Sequence, residues 1–154
     1  MTVRLAGPDD VPVIVRLVNV AYEVEKFFVS GDRTSIEVVR ALMQKGKFLV
    51  GEGPSGVVAC VYIERRGARG YFGMLAVDPS VQGQGWGRRM VEEAEQDARN
   101  NGCMAMDIRV VNLRTELPPF YTKLGYASAG TEAAEDPRAT QPFYFIRMSK
   151  PLAS

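Results

Sequence analysis

The run Gln82-Gly-Gln-Gly-Trp-Gly-Arg-Arg89 sets glycines at 83, 85 and 87 directly ahead of an amphipathic stretch. Residues without a Cβ let a ligand come up against the backbone. The first N–H groups of a helix lack internal partners, and its dipole favours an anion at that end. Together these features predict a phosphate cradle, with Arg88 and Arg89 adding positive charge beside it. Spacing excludes two other phosphate loops. A Walker A loop needs Lys and then Ser or Thr after its last glycine, where this chain has two arginines. The dinucleotide fingerprint G-x-G-x-x-G fails in both registers, because its third glycine would fall at Arg88 or at Met90.

The flanks say what must hold that loop. Tyr71–Val77 is a short apolar run of strand type, stopped by the turn signal Asp78-Pro79. Behind the loop, Trp86, Met90, Ala94 and Ala98 recur every four residues, and Asn100-Asn101-Gly102 ends the helix. Met104–Val111 reads as the next strand. Strand, phosphate turn, helix and strand make a βαβ crossover, so the two strands run parallel and the loop lies at their carboxyl ends. Further on, Phe120, Tyr121 and Leu124 sit at helical spacing, with Gly125 suited to the left-handed position past the helix end.

Gln82-Gly-Gln-Gly-Trp-Gly87 resembles the acyl-coenzyme A loop of the GNAT superfamily of N-acetyltransferases: Gln or Arg, two residues, Gly, one residue, Gly or Ala. Pro119-Phe-Tyr-Thr-Lys-Leu-Gly-Tyr126 resembles that superfamily's late aromatic segment. The resemblance implies one GNAT domain over 1–154, of mixed α/β (α+β) class. Its central sheet would be mixed and mostly antiparallel, with about seven strands flanked by about four helices. The fourth and fifth strands would be parallel and splayed. Acetyl-coenzyme A (acetyl-CoA) would be the co-substrate, with no metal. By the same resemblance Leu75, Ala76 and Val77 would offer backbone groups to the pantetheine arm, Val77 also to the thioester oxygen. Gln82, Gly83, Gln84, Gly85, Trp86, Gly87 and Arg88 would hold the pyrophosphate. Asn112 matches a position that often faces the cofactor, although a strand-end turn is the simpler reading.

Elsewhere the chain divides in the family's order. Val3–Ala6 reads as a first strand. Asp9 or Asp10 caps a helix whose apolar face carries Val13, Leu17, Val20, Ala21 and Val24. After a break at Phe27–Asp32, Thr34 or Ser35 caps a second helix. Lys47–Val50 and Gly56–Ile63 form a hairpin, and Arg65–Gly70 turns the chain into the next strand. A strand to about Thr131, a polar loop from Glu132 to Gln141 and a last strand Phe143–Met148 complete the order.

Composition narrows the chemistry. The 154 residues carry 19 basic against 18 acidic side chains, a formal net charge of +1. That offers no electrostatic case for nucleic acid or an anionic membrane as partner. The amino-terminal residues do not read as a signal peptide, and no apolar run approaches the ~20 residues of a spanning helix. Cys60 and Cys103 lack zinc spacing and lie in apolar surroundings, so a cytoplasmic chain with reduced core cysteines is expected. Oligomeric state, monomer or homodimer, stays open.

Histidine is absent. Histidine-based triads and acid–base chemistry are thereby excluded, and proton transfer falls to Asp, Glu, Tyr, Lys, Cys, backbone or water. An ammonium near pKa ~10.4 is almost fully protonated at neutral pH, so transfer to a small-molecule or peptide amine needs a base. Many GNAT proteins supply a Glu from the fourth strand, but Tyr71–Val77 has no acid. Glu25 and Glu23 are the leading candidates, since the segment after the first helix walls the family's acceptor site; Glu116 and Glu132 follow. Tyr121 matches the family tyrosine near the departing sulfur. A phenol near ~10 is a weaker acid than a thiol near ~8.5, so a hydrogen bond to developing thiolate is expected rather than full transfer. Arg33, Arg109 and Arg138 could meet a carboxylated acceptor. The missing strand acid leaves one alternative, a non-catalytic acyl-CoA sensor or interaction module.

Overall fold

A computed structural model describes residues 2–152. Seven strands form one sheet in the order β1-β2-β3-β4-β5-β7-β6. They are β1 (Thr2–Leu5), β2 (Lys47–Gly53), β3 (Gly56–Arg66), β4 (Arg69–Val77), β5 (Ala105–Val111), β6 (Ala127–Ala133) and β7 (Tyr144–Pro151). Among the described residues, only the β4–β5 pair is parallel and the other five pairs are antiparallel. The helices are α1 (Val11–Ala21), α2 (Ile36–Lys45), α3 (Trp86–Asn100) and α4 (Leu117–Lys123). The mixed sheet with four helices is the architecture expected from the sequence.

Two apolar layers cover the sheet. Met90, Val91, Ala94 and Ala98 of α3 pack with Phe72, Met106, Ile108 and Tyr121 on one face. Ile14, Leu17 and Val18 of α1 pack with Val39, Phe48, Cys60 and Tyr62 on the other. The four-residue apolar spacing of α3 thus buries one stripe, and its ends match the glycine signals that bound it. Trp86 joins the first layer, where its indole lies against Gly51 so closely that a Cβ there has no room.

Two local expectations are corrected. Asp10 does not cap α1 through its side chain. Its carboxylate accepts the Gly7 N–H at 2.8 Å and pairs with Arg4 at 2.8 Å, so a charged partner across the turn outcompetes the helix end. The last strand also runs on to Pro151, because β5 offers it a full antiparallel ladder from Ala105↔Pro151 to Val111↔Phe145. Ser35 does cap α2, accepting the Val38 N–H at 3.2 Å.

Candidate functional site

β4 and β5 pair only at Arg69↔Ala105, Gly70↔Met106 and Tyr71↔Asp107, and then separate. Beyond Tyr71, the β5-facing edge of β4 is free of strand pairing. Such an edge offers its N–H and C=O groups to any extended ligand. A bulge shapes it further. Cys60 pairs with Ala76 and Tyr62 with Gly73, so Val61 faces both Met74 and Leu75. Met74 takes φ 50, a left-handed conformation uncommon outside glycine. The extra residue breaks the alternation: Phe72, Leu75 and Val77 pack toward α3, while Met74 and Ala76 pack toward α1. Nothing in the residue pattern signalled this.

The glycine loop closes over the end of β4. Gly83 and Gly85 have φ 81 and 83, and a Cβ on either would point into open space. Gly85 caps α3 through its carbonyl, which accepts the Arg89 N–H at 3.0 Å. Among the described residues, no side chain caps this helix and no turn or loop carbonyl takes the N–H groups of Gly83 to Arg88. The result is a set of unpaired donors at a positive helix end, with no side chain in front of them. A groove of about 640 Å³ runs from these donors past Val77 and Leu75 to Tyr121. A diphosphate with an extended amide-bearing arm fits this combination of donors, open glycine face and free strand edge.

Through the β4–β5 opening lies a second, smaller cavity of about 190 Å³. Tyr22, Leu75, Leu117 and Tyr121 line both spaces and form the wall between them. Tyr121 is 7% exposed, and its hydroxyl has no hydrogen-bond partner among the described residues. Burial, reinforced by nearby Tyr22, holds its pKa above the usual phenol value, so it stays protonated. Glu25 reaches the cavity from the turn after α1 and is 9% exposed. Its Oε2 accepts from Arg114 Nη1 at 2.8 Å, and Oε1 has no bonded partner among the described residues. Burial pushes its carboxyl pKa up; Arg114 pulls it back only in part. An unfilled phenol and a desolvated carboxylate flanking one opening suit proton handling at a nucleophile.

Comparison with known proteins settles the family. A family model described as "Acetyltransferase (GNAT) domain" matches residues 44–128. The chain belongs to the GNAT acetyltransferase family. It is 30% identical over 108 residues to the IAA acetyltransferase of Azospirillum brasilense, covering 69% of this chain and 68% of that one. It is 31% identical over 71 residues to glucosamine 6-phosphate N-acetyltransferase 1 of rice (Oryza sativa subsp. japonica). That match covers 46% of this chain but only 41% of the rice enzyme. In structure it is similar to yncA of Salmonella typhimurium, solved with acetyl-CoA, at a TM-score of 0.76 and 20% identity. That superposition covers 100% of this chain and 95% of the other.

Within this GNAT domain the expected site residues are not all brought together. Leu75, Ala76, Val77, Gln82, Gly83, Gly85, Trp86, Gly87, Arg88 and Tyr121 line the groove. Trp86 does so with its indole committed to the core, which leaves its backbone N–H for a ligand. Gln84 is exposed and outside the lining. Asn112 is also outside: its Oδ1 accepts the Tyr144 N–H at 2.8 Å and fastens β7 to the end of β5. Glu23 is separated from Glu25 by the 3-10 turn itself, pairs with Lys26 at 3.1 Å and faces solvent. Glu132 is bound to Arg109 at 2.8 Å outside the cavity, and Glu116 to Arg114 at 2.9 Å at the groove's rim. Sequence reasoning missed Arg114 and Tyr22. No spacing rule links residues 22, 25 and 114, which only the fold makes neighbours.

Proposed function

We propose that the protein is an acetyl-CoA-dependent N-acetyltransferase that transfers acetyl directly to a primary amine in a ternary complex. The observation that carries this reading is the meeting of two chambers at the β4–β5 opening. One carries unpaired backbone donors, the other the Glu25 carboxylate, and Tyr22 and Tyr121 stand between them. Bound acetyl-CoA supplies an acetyl thioester, whose C–S bond breaks as the C–N bond forms; the amine loses one proton and the sulfur ends with one. Gly83 to Arg88 hold the phosphates by backbone donors. Leu75 to Val77 align the arm as an added strand, and the Val77 amide polarises the thioester oxygen.

Glu25 takes the amine proton, directly or through one water, at its unbonded Oε1. Its raised pKa improves the match to an amine, and Arg114 orients the other oxygen. Tyr121 donates its hydroxyl to the sulfur as negative charge develops. Glu25's ion pair with Arg114 also favours a second reading, an acyl-CoA sensor without turnover, because a paired carboxylate is a weaker base. Release of free coenzyme A over a panel of amines tests the two readings. Cofactor binding with no release across the panel would overturn the enzyme reading in favour of the sensor.

A further inference from the structure

Among the described residues, the small cavity holds one cation with no ion-pair partner. Arg109 and Arg138 are taken up by Glu132 and Asp136, and Glu25 by Arg114. Arg33 has no salt bridge among the described residues. Its guanidinium lies 5.4 Å from the centroid of the Tyr22 ring, beside Glu25 at the cavity mouth. Arg33 is exposed and faces the Glu25–Arg114–Glu116 cluster without bonding to it, so among the described residues its N–H groups are open to an acceptor carboxylate.

One corner of the remaining wall is aromatic, while Asp136, Arg138, Val29 and Met74 also line the cavity. Phe28 and Phe143 meet edge-on at 5.1 Å, and Phe143 and Phe145 at 5.9 Å. Phe28 is fully buried. The loop between β6 and β7 closes over this corner through Ser30 N–H to Arg138 O at 2.9 Å and Thr140 N–H to Phe28 O at 2.8 Å. A volume of about 190 Å³ is on the scale of a single ring, since a cavity of ~150 Å³ takes benzene. At this corner the rings suit one apolar side chain better than a sugar hydroxyl, which would find no polar partner among them.

Resting on the transferase reading, we infer that the acceptor is a small amino-carboxylate with an apolar or aromatic side chain. Its amine faces Glu25 and Tyr121, its side chain enters the phenylalanine corner, and its carboxylate meets Arg33. A planar guanidinium suits a carboxylate in two-point contact.

The test uses the full chain with saturating acetyl-CoA and four probes: phenylalanine, its methyl ester, phenethylamine and glucosamine 6-phosphate. Phenylalanine should exceed the ester and phenethylamine in kcat/KM by roughly ten- to a hundredfold, the worth of one charge-assisted contact. In Arg33→Gln that preference should collapse through a higher KM for phenylalanine, and Arg33→Lys should restore part of it. Equal use of phenethylamine, preference for glucosamine 6-phosphate, or an intact preference in Arg33→Gln would each overturn the inference. Calorimetric binding of acetyl-CoA with no probe acetylated would overturn it too, leaving the cofactor side standing. Failure to bind acetyl-CoA would instead bring down the transferase reading and the acceptor with it.

Discussion

The two chambers are built from different materials. The groove presents mainly backbone: the free edge of β4, the start of α3 and glycines at 83, 85 and 87. The cavity presents side chains from separate segments: Glu25 and Phe28 after α1, Arg33 before α2, Tyr121 on α4 and Phe143 before β7. A backbone site serves one ligand chemistry and tolerates almost any side chain pointing away from it. A side-chain site can be rewritten residue by residue. The first therefore suits a shared co-substrate and the second a particular acceptor.

The largest expected effect is on the backbone side. Gly87 has ordinary φ, and a Cβ there would meet only the Phe120 ring edge at 3.5 Å. Gly87→Glu should therefore fold, yet place a carboxylate at the donors and abolish acetyl-CoA binding by calorimetry. Gly85→Glu should do the same at some cost in stability, because Gly85 has φ 83. Unaltered affinity in folded Gly87→Glu would remove the distinction between the chambers.

That distinction also explains what could be read from the chain. A phosphate turn must use glycine at set intervals before a helix, so its local pattern carries the function. The strand and helix periods around it are equally local, whereas the mixed sheet is implied by the family resemblance and the placing of β7 between β5 and β6 is seen only in the fold. The acceptor cavity has no such pattern. Glu25 and Arg114 are 89 positions apart, and what joins them is the closure of the α1–α2 segment onto the β5–α4 turn. Met74 is the opposite case: a local feature, but one that ordinary strand residues do not signal.

On the side-chain side, Glu25→Gln should cost the most, roughly a hundredfold to ten-thousandfold in rate if Glu25 is the base. A base acts as the carboxylate, so the wild-type rate should climb as pH rises through its pKa. Burial raises that pKa, setting the climb above the ordinary carboxylate range. The Gln variant should lose that limb while keeping acetyl-CoA affinity. Glu23→Gln, at the solvent-facing neighbour, should keep it. A retained limb in both variants would assign deprotonation to water or another acid.

Tyr121→Phe should come next. It keeps the ring packed against Phe72, Phe120 and Tyr126 and removes a hydroxyl that has no hydrogen-bond partner among the described residues. Stability and acetyl-CoA affinity should hold, while kcat and kcat/KM fall together by roughly ten- to a thousandfold. A thioester with a more acidic thiol should lose less. Full activity would reduce Tyr121 to a packing ring.

The smallest effect should fall on Asn112, whose position pointed toward the cofactor and whose side chain is spent elsewhere. Its Oδ1 accepts the Tyr144 N–H, while its own N–H donates to Tyr144 O at 2.9 Å. Asn112→Ala removes the first bond only. Tyr144 is exposed, so water can replace the lost acceptor and the cost should stay near ~1 kcal/mol. For a chain of this size that is a fall in Tm of roughly 2–4 °C. Asn112→Asp keeps an acceptor oxygen there and should recover most of the loss. Acetyl-CoA affinity should stay within about twofold in both variants, because neither changes a group that lines the groove. A tenfold weaker affinity in Asn112→Ala with an unchanged Tm would reverse the assignment. Asn112 would then belong to the cofactor side, and that side would depend on a side chain at the end of β5 as well as on its backbone donors.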